Sequence, residues 1–175
     1  MNRRIGLPHR LLVAGWISGL AMLSPLTQAG GGGGPDLRTV FQGQQIHLPG
    51  GGSLPITDVL GHRPLVLQFL TPPCRRCEQD DGLLRQQSFE YADLGVTVVN
   101  VYGGRDQAAV QAYRKCSQLG VPDLTDPTGE LARRIGVGDR HQVLFVSASG
   151  GVLASLTAPF SPRTILREIR DLVNF

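Results

Sequence analysis

The chain has 175 residues, 41% of them hydrophobic and 18% charged, which suits one compact domain of about 100 to 150 residues with an additional segment at one end. Its formal net charge is +3, and three of the basic residues lie among the first ten, so the remainder is close to neutral. No basic tract indicates nucleic acid as a partner, and acidic polymers are excluded on the same ground. Three cysteines are too few to staple a small scaffold with disulfides.

The N-terminal residues have the pattern of a secretory signal peptide. Three arginines precede an almost wholly apolar run, 11–23, and the small residues Thr27 and Ala29 follow it. A permanent membrane anchor is the alternative, but the run is shorter than the ~20 residues that span a bilayer core. We therefore expect cleavage after Ala29 and a periplasmic or secreted protein with no stable membrane insertion.

Three segments follow from this pattern. They are a signal peptide, 1–29, a glycine-rich linker that cannot pack, 30–35, and a folded domain, 36–175. At the start of the domain, 44–60 is expected to form a small hairpin.

The first half of the domain alternates strands with helices. The run 64–70 is almost continuously apolar, as expected of a strand that is covered on both faces of a sheet. A Thr-Pro-Pro segment ends it, and Cys74 opens a helix to about residue 92. By the same reasoning, 96–102 is a second buried strand and 105–119 a second helix.

The second half predicts a short helix, a hairpin and a closing helix. The segment 126–135 begins with Asp-Pro, a pair that suits a helix N-terminus. A glycine turn separates the strands 143–146 and 152–156, which indicates an antiparallel hairpin. An apolar stripe after Ser161 predicts the last helix. The fold class is therefore α/β, with a central sheet of mixed strands and helices on both faces.

Cys74 and Cys77 form a C-x-x-C motif at the junction of the first strand and helix. In an exported protein this spacing indicates a redox pair, with an inert structural disulfide as the alternative. A helix N-terminus and the neighbouring Arg75 and Arg76 favour the Cys74 thiolate, which makes Cys74 the attacking sulfur and stabilises the reduced form, so the couple tends toward an oxidant. The alternative interpretation of the two arginines is that they form a solvated helix face. Cys77 would resolve the mixed disulfide.

With this motif, the order of elements resembles the thioredoxin superfamily, and the segment 69–77, FLTPPCRRC, resembles its active site. The exported TlpA-like thiol-disulfide oxidoreductases are the most similar branch, since they share the signal peptide, the N-terminal hairpin and an acidic residue at the position of Asp80. The resemblance implies an enzyme without a cofactor that exchanges disulfides with cysteine-containing exported proteins and a redox partner. Asp80 would shuttle the Cys77 proton, unless it is first-turn charge that satisfies the helix dipole.

Two positions depart from the family pattern. Pro73 replaces the tryptophan that usually precedes the first cysteine, and His141 aligns with the proline that is usually cis before the hairpin. A cis bond before a non-proline residue costs about 2.5 to 4 kcal/mol, so the bond before His141 is expected to be trans. An imidazole beside Cys74 and Cys77 would offer a ligand or a general base.

A thiol peroxidase of the peroxiredoxin type is one alternative function. Thr71 and Cys74 match the T-x-x-C half of its signature, and Arg140 or His141 falls near its arginine. Leu67 stands where that signature has proline, which counts against it.

A metal-binding or copper-delivery protein is the other alternative. Cys74, Cys77 and His141 would form a soft site of two sulfurs and one nitrogen, resembling the Sco-type chaperones. Those proteins use C-x-x-x-C and place the histidine slightly earlier, so the match is loose.

The third cysteine, Cys116, lies on the apolar side of the second predicted helix, near Tyr113 and Leu119. This position indicates a buried core thiol. A second resolving thiol is the alternative.

We predict that the mature protein begins at Gly30, because the apolar run is too short to anchor the chain and small residues precede the cleavage point. Intact mass and N-terminal sequencing of the protein from the exported fraction measure this directly. An exported protein that still begins at Met1 contradicts the prediction.

Overall fold

The computed structural model describes residues 34–72, 92–117 and 120–174, with residues 116 and 117 described by their backbone. Its strands form one mixed sheet in the order β2-β1-β5-β4-β3-β6-β7. Strands β3, β4 and β5 run parallel, whereas β6 is antiparallel to β3 and β1 is antiparallel to β5. The strands are β1 (Gln45–His47), β2 (Ser53–Pro55), β3 (Leu65–Leu70), β4 (Thr97–Gly103), β5 (Asp123–Asp126), β6 (Gln142–Val146) and β7 (Val152–Thr157).

Helices cover both faces of this sheet. They are α1 (Leu37–Val40), a 3₁₀ helix (Ile56–Asp58), α2 (Gln107–Ser117), α3 (Glu130–Arg134) and α4 (Pro162–Asn174). Within the described ranges, none of the helices has both the length and the apolar character that crossing a membrane requires.

Strand β3 lies at the centre of the core. All six of its residues are buried, and successive side chains of a strand point to opposite faces of the sheet. Leu67 and Phe69 join the larger core on the side of α1 and α3, and Val66 joins the core on the side of α4. The continuous apolar run is thus explained by burial on both faces.

Helix α4 closes one face with a stripe of apolar residues. Ile165, Ile169 and Leu172 are each at most 2% exposed, and they pack with Phe145 of β6. The helix begins after Ser161, whose Oγ accepts a hydrogen bond from the Thr164 N–H at 3.1 Å. This capping bond satisfies one of the backbone donors that a helix start leaves unpaired.

Helix α2 is held to the same face nearer the ends of the parallel strands. Its Val110 and Tyr113 pack on Leu70 and Tyr102. Arg114 donates two hydrogen bonds to the Asp123 carboxylate, at 3.1 and 2.6 Å, which joins α2 to β5. A paired guanidinium–carboxylate contact of this kind fixes orientation as well as distance.

Most elements expected from the sequence are present. The buried strands at 64–70 and 96–102, the hairpin after residue 142 and the closing helix are confirmed, each within about two residues. The small N-terminal hairpin is confirmed inside its predicted range 44–60, and it ends at Pro55. The α/β class with mixed strands and helices on both faces is also confirmed. The predicted signal peptide and the helix after Cys74 lie outside the described residues.

The helix expected at 126–135 begins later than predicted. Asp126 is instead the last residue of β5, and α3 begins at Glu130. A turn separates them, in which the Gly129 N–H donates to the Asp126 carbonyl at 3.1 Å and Gly129 has a φ of 68°, a conformation that favours glycine. Asp126 still caps the helix from the strand end, since its Oδ2 accepts from the Ala132 N–H at 3.0 Å.

We predict that Ile169→Ala lowers the free energy of unfolding by about 2–5 kcal/mol, because it removes buried methyl groups and leaves a cavity under α4. Ile169 is 1% exposed. Urea unfolding at pH 7 measures the change. The matched control is Arg170→Ala on the exposed side of the same helix, which should change the free energy by no more than about 0.5 kcal/mol. Equal losses in the two variants would contradict this packing.

Candidate functional site

The parallel strands β3, β4 and β5 end at the same edge of the sheet, and ligands of open α/β sheets bind outside such carboxyl ends. Because β6 is antiparallel to β3, it begins at this edge. Its register pairs Gln142 with Phe69, and one further step brings His141 opposite Leu70. We call this region, with the loops after β3 and β4, the site edge.

The predicted redox residues follow directly from β3. The strand ends at Leu70, and Thr71 and Pro72 are the last described residues before the C-x-x-C segment. Cys74, Cys77 and Asp80 lie outside the described residues. Thr71 and Pro72, which form the entry point to this segment, lie at the site edge.

Two glycines lie against that entry point. A Cβ on Gly103 would stand 3.3 Å from Thr71 Oγ1, and a Cβ on Gly104 would stand 3.5 Å from Thr71 Cγ2 and 3.6 Å from the Pro72 carbonyl oxygen. Gly104 also has a φ of 107°, which L side chains rarely adopt. The absence of side chains thus allows the loop after β4 to pack closely on the residues that lead to Cys74.

His141 is a buried residue of the site edge. The peptide bond before it is trans, as predicted, since among the described residues the cis bond is Ala158–Pro159. Its ring meets Phe160 edge to face, with ring centroids 4.8 Å apart. The Gln68 side-chain Nε2 lies 3.0 Å from His141 Nε2. An amide nitrogen donates, so the ring Nε2 accepts and the imidazole is neutral.

Burial changes the acidity of this imidazole. Desolvation lowers the pKa of His141 from 6.5 to about 4, because the charged form loses its hydration in the core. At neutral pH the residue is therefore an uncharged, hydrogen-bonded part of the site edge.

A row of buried polar side chains runs from His141 across the adjoining strands. Gln68 and Asn100 are register partners on β3 and β4, and each is 1% exposed. Asn100 Nδ2 donates to the Tyr102 hydroxyl at 3.1 Å, while Asn100 Oδ1 has no hydrogen-bond partner among the described residues. Buried polar groups of this kind are usually paired and often functional.

Sequence reasoning missed Gln68 and Asn100. The available signal was a single polar residue inside each otherwise apolar strand. A strand pattern alone does not show that two such residues are neighbours, because that depends on the register between strands.

The remaining candidate residues differ in their surroundings. Arg140 is exposed and donates to the Ala158 carbonyl at 3.4 Å, beside the buried His141. Cys116 lies in α2, on the turn after the buried Tyr113, and its side chain lies outside the description. Among the described residues, no group of three His, Cys, Asp or Glu side chains could hold a metal ion.

Solved structures of similar shape define the class of fold. A secreted Mycobacterium tuberculosis disulfide oxidoreductase homologous to E. coli DsbE is 23% identical, with a TM-score of 0.61 over 73% of this chain and 95% of that chain. A thioredoxin-family thiol:disulfide interchange protein from Chlorobium tepidum is 18% identical, with a TM-score of 0.62 over 74% and 92%. The pneumococcal exposed lipoprotein thioredoxin from Streptococcus pneumoniae is 19% identical, with a TM-score of 0.62 over 73% and 98%. The fold is therefore thioredoxin-like.

The sequence identifies the family within this class. The AhpC/TSA family model matches residues 40–155, which is more than half of the chain. The chain belongs to the AhpC/TSA family. No curated protein sequence matched it. Family and fold together confirm the predicted resemblance to the thioredoxin superfamily and the oxidoreductase class.

We predict that His141 makes the folded protein sensitive to acid. Between pH 6.5 and about 4 the unfolded chain protonates this imidazole and the folded chain does not, so stability falls as the pH falls through this window. By pH 4 the loss is roughly 3 kcal/mol. The measurement is urea unfolding of the wild type and His141→Gln at pH 7 and pH 4. The wild type should lose roughly 3 kcal/mol more than the variant between the two pH values, and parallel losses would show that the imidazole is not desolvated.

Proposed function

We propose that this chain is an exported thiol-disulfide oxidoreductase that works through Cys74 and Cys77. The observation that supports this most directly is the position of β3. This buried strand of a thioredoxin-like sheet ends at Leu70, at the edge where ligands of such sheets bind, and Cys74 follows four residues later in the sequence.

The proposed exchange proceeds in two steps. The Cys74 thiolate attacks one sulfur of a partner disulfide, which forms a mixed disulfide and releases the other partner sulfur as a thiolate. Cys77, after losing its proton to Asp80, then attacks the Cys74 sulfur, which releases the second partner thiolate and leaves a Cys74–Cys77 disulfide. The partner gains two electrons and the enzyme loses two. The reverse sequence donates the disulfide to a partner dithiol.

Cysteine-containing exported proteins are the proposed partners, together with a second redox protein that resets the cysteine pair. The proposed export rests on the arginines and apolar run before residue 30. It agrees with the description of the similar M. tuberculosis oxidoreductase as secreted. A periplasmic or secreted location would also supply the oxidising surroundings in which disulfide exchange operates.

His141 would act in this enzyme as an uncharged side chain that borders the site edge. Its Nε2 accepts from Gln68 and its ring packs on Phe160, so the imidazole is oriented by two contacts. Stoichiometric metal in the purified protein would instead favour metal delivery through Cys74, Cys77 and His141.

A thiol peroxidase is the second candidate, because the chain belongs to the AhpC/TSA family and carries the Thr71-x-x-Cys74 spacing. In that reaction the Cys74 thiolate would attack a peroxide oxygen, forming a sulfenic acid and releasing water or an alcohol. Cys77 would then condense with the sulfenic acid to a disulfide and a second water. Consumption of hydrogen peroxide by the reduced protein would distinguish the two functions.

We predict different outcomes for the two cysteine variants. Cys74→Ser should abolish thiol transfer, whereas Cys77→Ser should accumulate mixed disulfides, because no resolving thiol remains to release the partner. Non-reducing gels and mass spectrometry of proteins captured in the exported fraction measure this. Cys116→Ser is the control and should behave as the wild type. Equal trapping by Cys74→Ser and Cys77→Ser would show that the roles are wrongly assigned.

A further inference from the structure

A cavity of about 280 Å³ opens at the site edge, on the face of the sheet that carries α3. Phe69 and Val101 contribute apolar side chains, and the loops after β4 and β5 supply polar ones. Small-molecule sites usually begin at about 300 Å³, so this cavity suits a ligand between an amino acid and a small peptide in size.

Charged side chains of both signs line the cavity: Arg105, Asp126, Arg133 and Asp139. Asp126 is 3% exposed, so its carboxylate is the inner charge, whereas the other three are exposed. Arg133 also pairs with the exposed Glu130 at 2.6 Å. Two guanidinium groups and two carboxylates complement a zwitterion and disfavour ligands that carry charge of one sign.

Covalent geometry places this cavity within reach of the proposed chemistry. Thr71 lines the cavity, and Cys74 follows it by three residues, so the two Cα atoms lie within about 11 Å of each other. Gly103 and Gly104 also line it, and they lie against Thr71. A molecule bound here would therefore contact Thr71, three residues before Cys74 in the sequence.

We propose that the cavity binds low-molecular-weight disulfides derived from amino acids, of which cystine is the simplest. The carboxylate of the ligand would face Arg105 and Arg133, and its ammonium group would face Asp126 and Asp139. This inference rests on the proposed function and names a substrate class for it. The reaction is a two-electron exchange in which the reduced Cys74 and Cys77 become a disulfide and one cystine becomes two cysteines.

The test compares three disulfides as oxidants of the fully reduced protein. Cystine carries both charges, cystamine lacks the carboxylates, and 3,3′-dithiodipropionate lacks the ammonium groups. Each rate is divided by the rate of the same disulfide with free dithiothreitol, which removes differences in intrinsic reactivity. The normalised rate should be about tenfold higher for cystine than for either analogue, as expected from one additional charge-assisted contact.

Cavity variants make the test specific. Arg105→Gln should lower the ratio of the normalised cystine rate to the cystamine rate about tenfold, because it removes a partner of the carboxylate. Asp139→Asn should lower the ratio of the cystine rate to the 3,3′-dithiodipropionate rate about tenfold, because it removes a partner of the ammonium group. Arg163→Gln, on the exposed side of α4, is the matched control and should keep the wild-type ratios. Calorimetry of cystine with the Cys74→Ser, Cys77→Ser double variant gives a second readout that does not depend on catalysis, and adding Arg105→Gln should weaken binding about tenfold.

The possible failures are distinguishable. Equal normalised rates for the three disulfides, with no heat of binding, would overturn the cavity assignment while leaving the oxidoreductase proposal intact. Lack of reaction with any disulfide would overturn the proposed function. Heat of binding in the double variant would then still support the cavity as a zwitterion site.

Discussion

Strand β3 is paired along both edges, with β4 and with β6, and all six of its residues are buried. This pairing holds the rest of the molecule in place. It brings the carboxyl ends of the parallel strands and the beginning of the antiparallel strand β6 to one edge of the sheet. A shift of the register by one residue would turn Gln68 to the opposite face and remove it from His141.

Close backbone contacts and polar side-chain contacts both position residues at the site edge. Gly103 and Gly104 allow the loop after β4 to approach Thr71 and Pro72 closely, because neither residue carries a side chain. Gln68 and Phe160 orient the imidazole of His141 on the other side. Thr71, Gly103 and Gly104 also line the cavity on the α3 side, together with charged residues of both signs.

The trans bond and the buried imidazole at His141 are linked. A proline at this position would carry no side-chain polar atom, whereas a histidine must satisfy ring nitrogens in a dry environment. Gln68 supplies a donor from the neighbouring strand, and desolvation keeps the ring neutral, with a pKa lowered to about 4. His141 thus departs from the thioredoxin pattern, and Gln68 on β3 supplies a hydrogen bond to its ring.

The sequence by itself determined the α/β class, the buried strands, the closing helix and the C-x-x-C motif, because hydrophobic periodicity and turn residues are local properties. Only the tertiary structure decided that 123–126 is a strand, since its four residues carry two charges and become a strand by pairing with β4. The same holds for the site. The spacing of Cys74 and Cys77 is visible along the chain, but the contact of Gln68 with His141, 73 residues apart, depends on strand register, which no local pattern encodes.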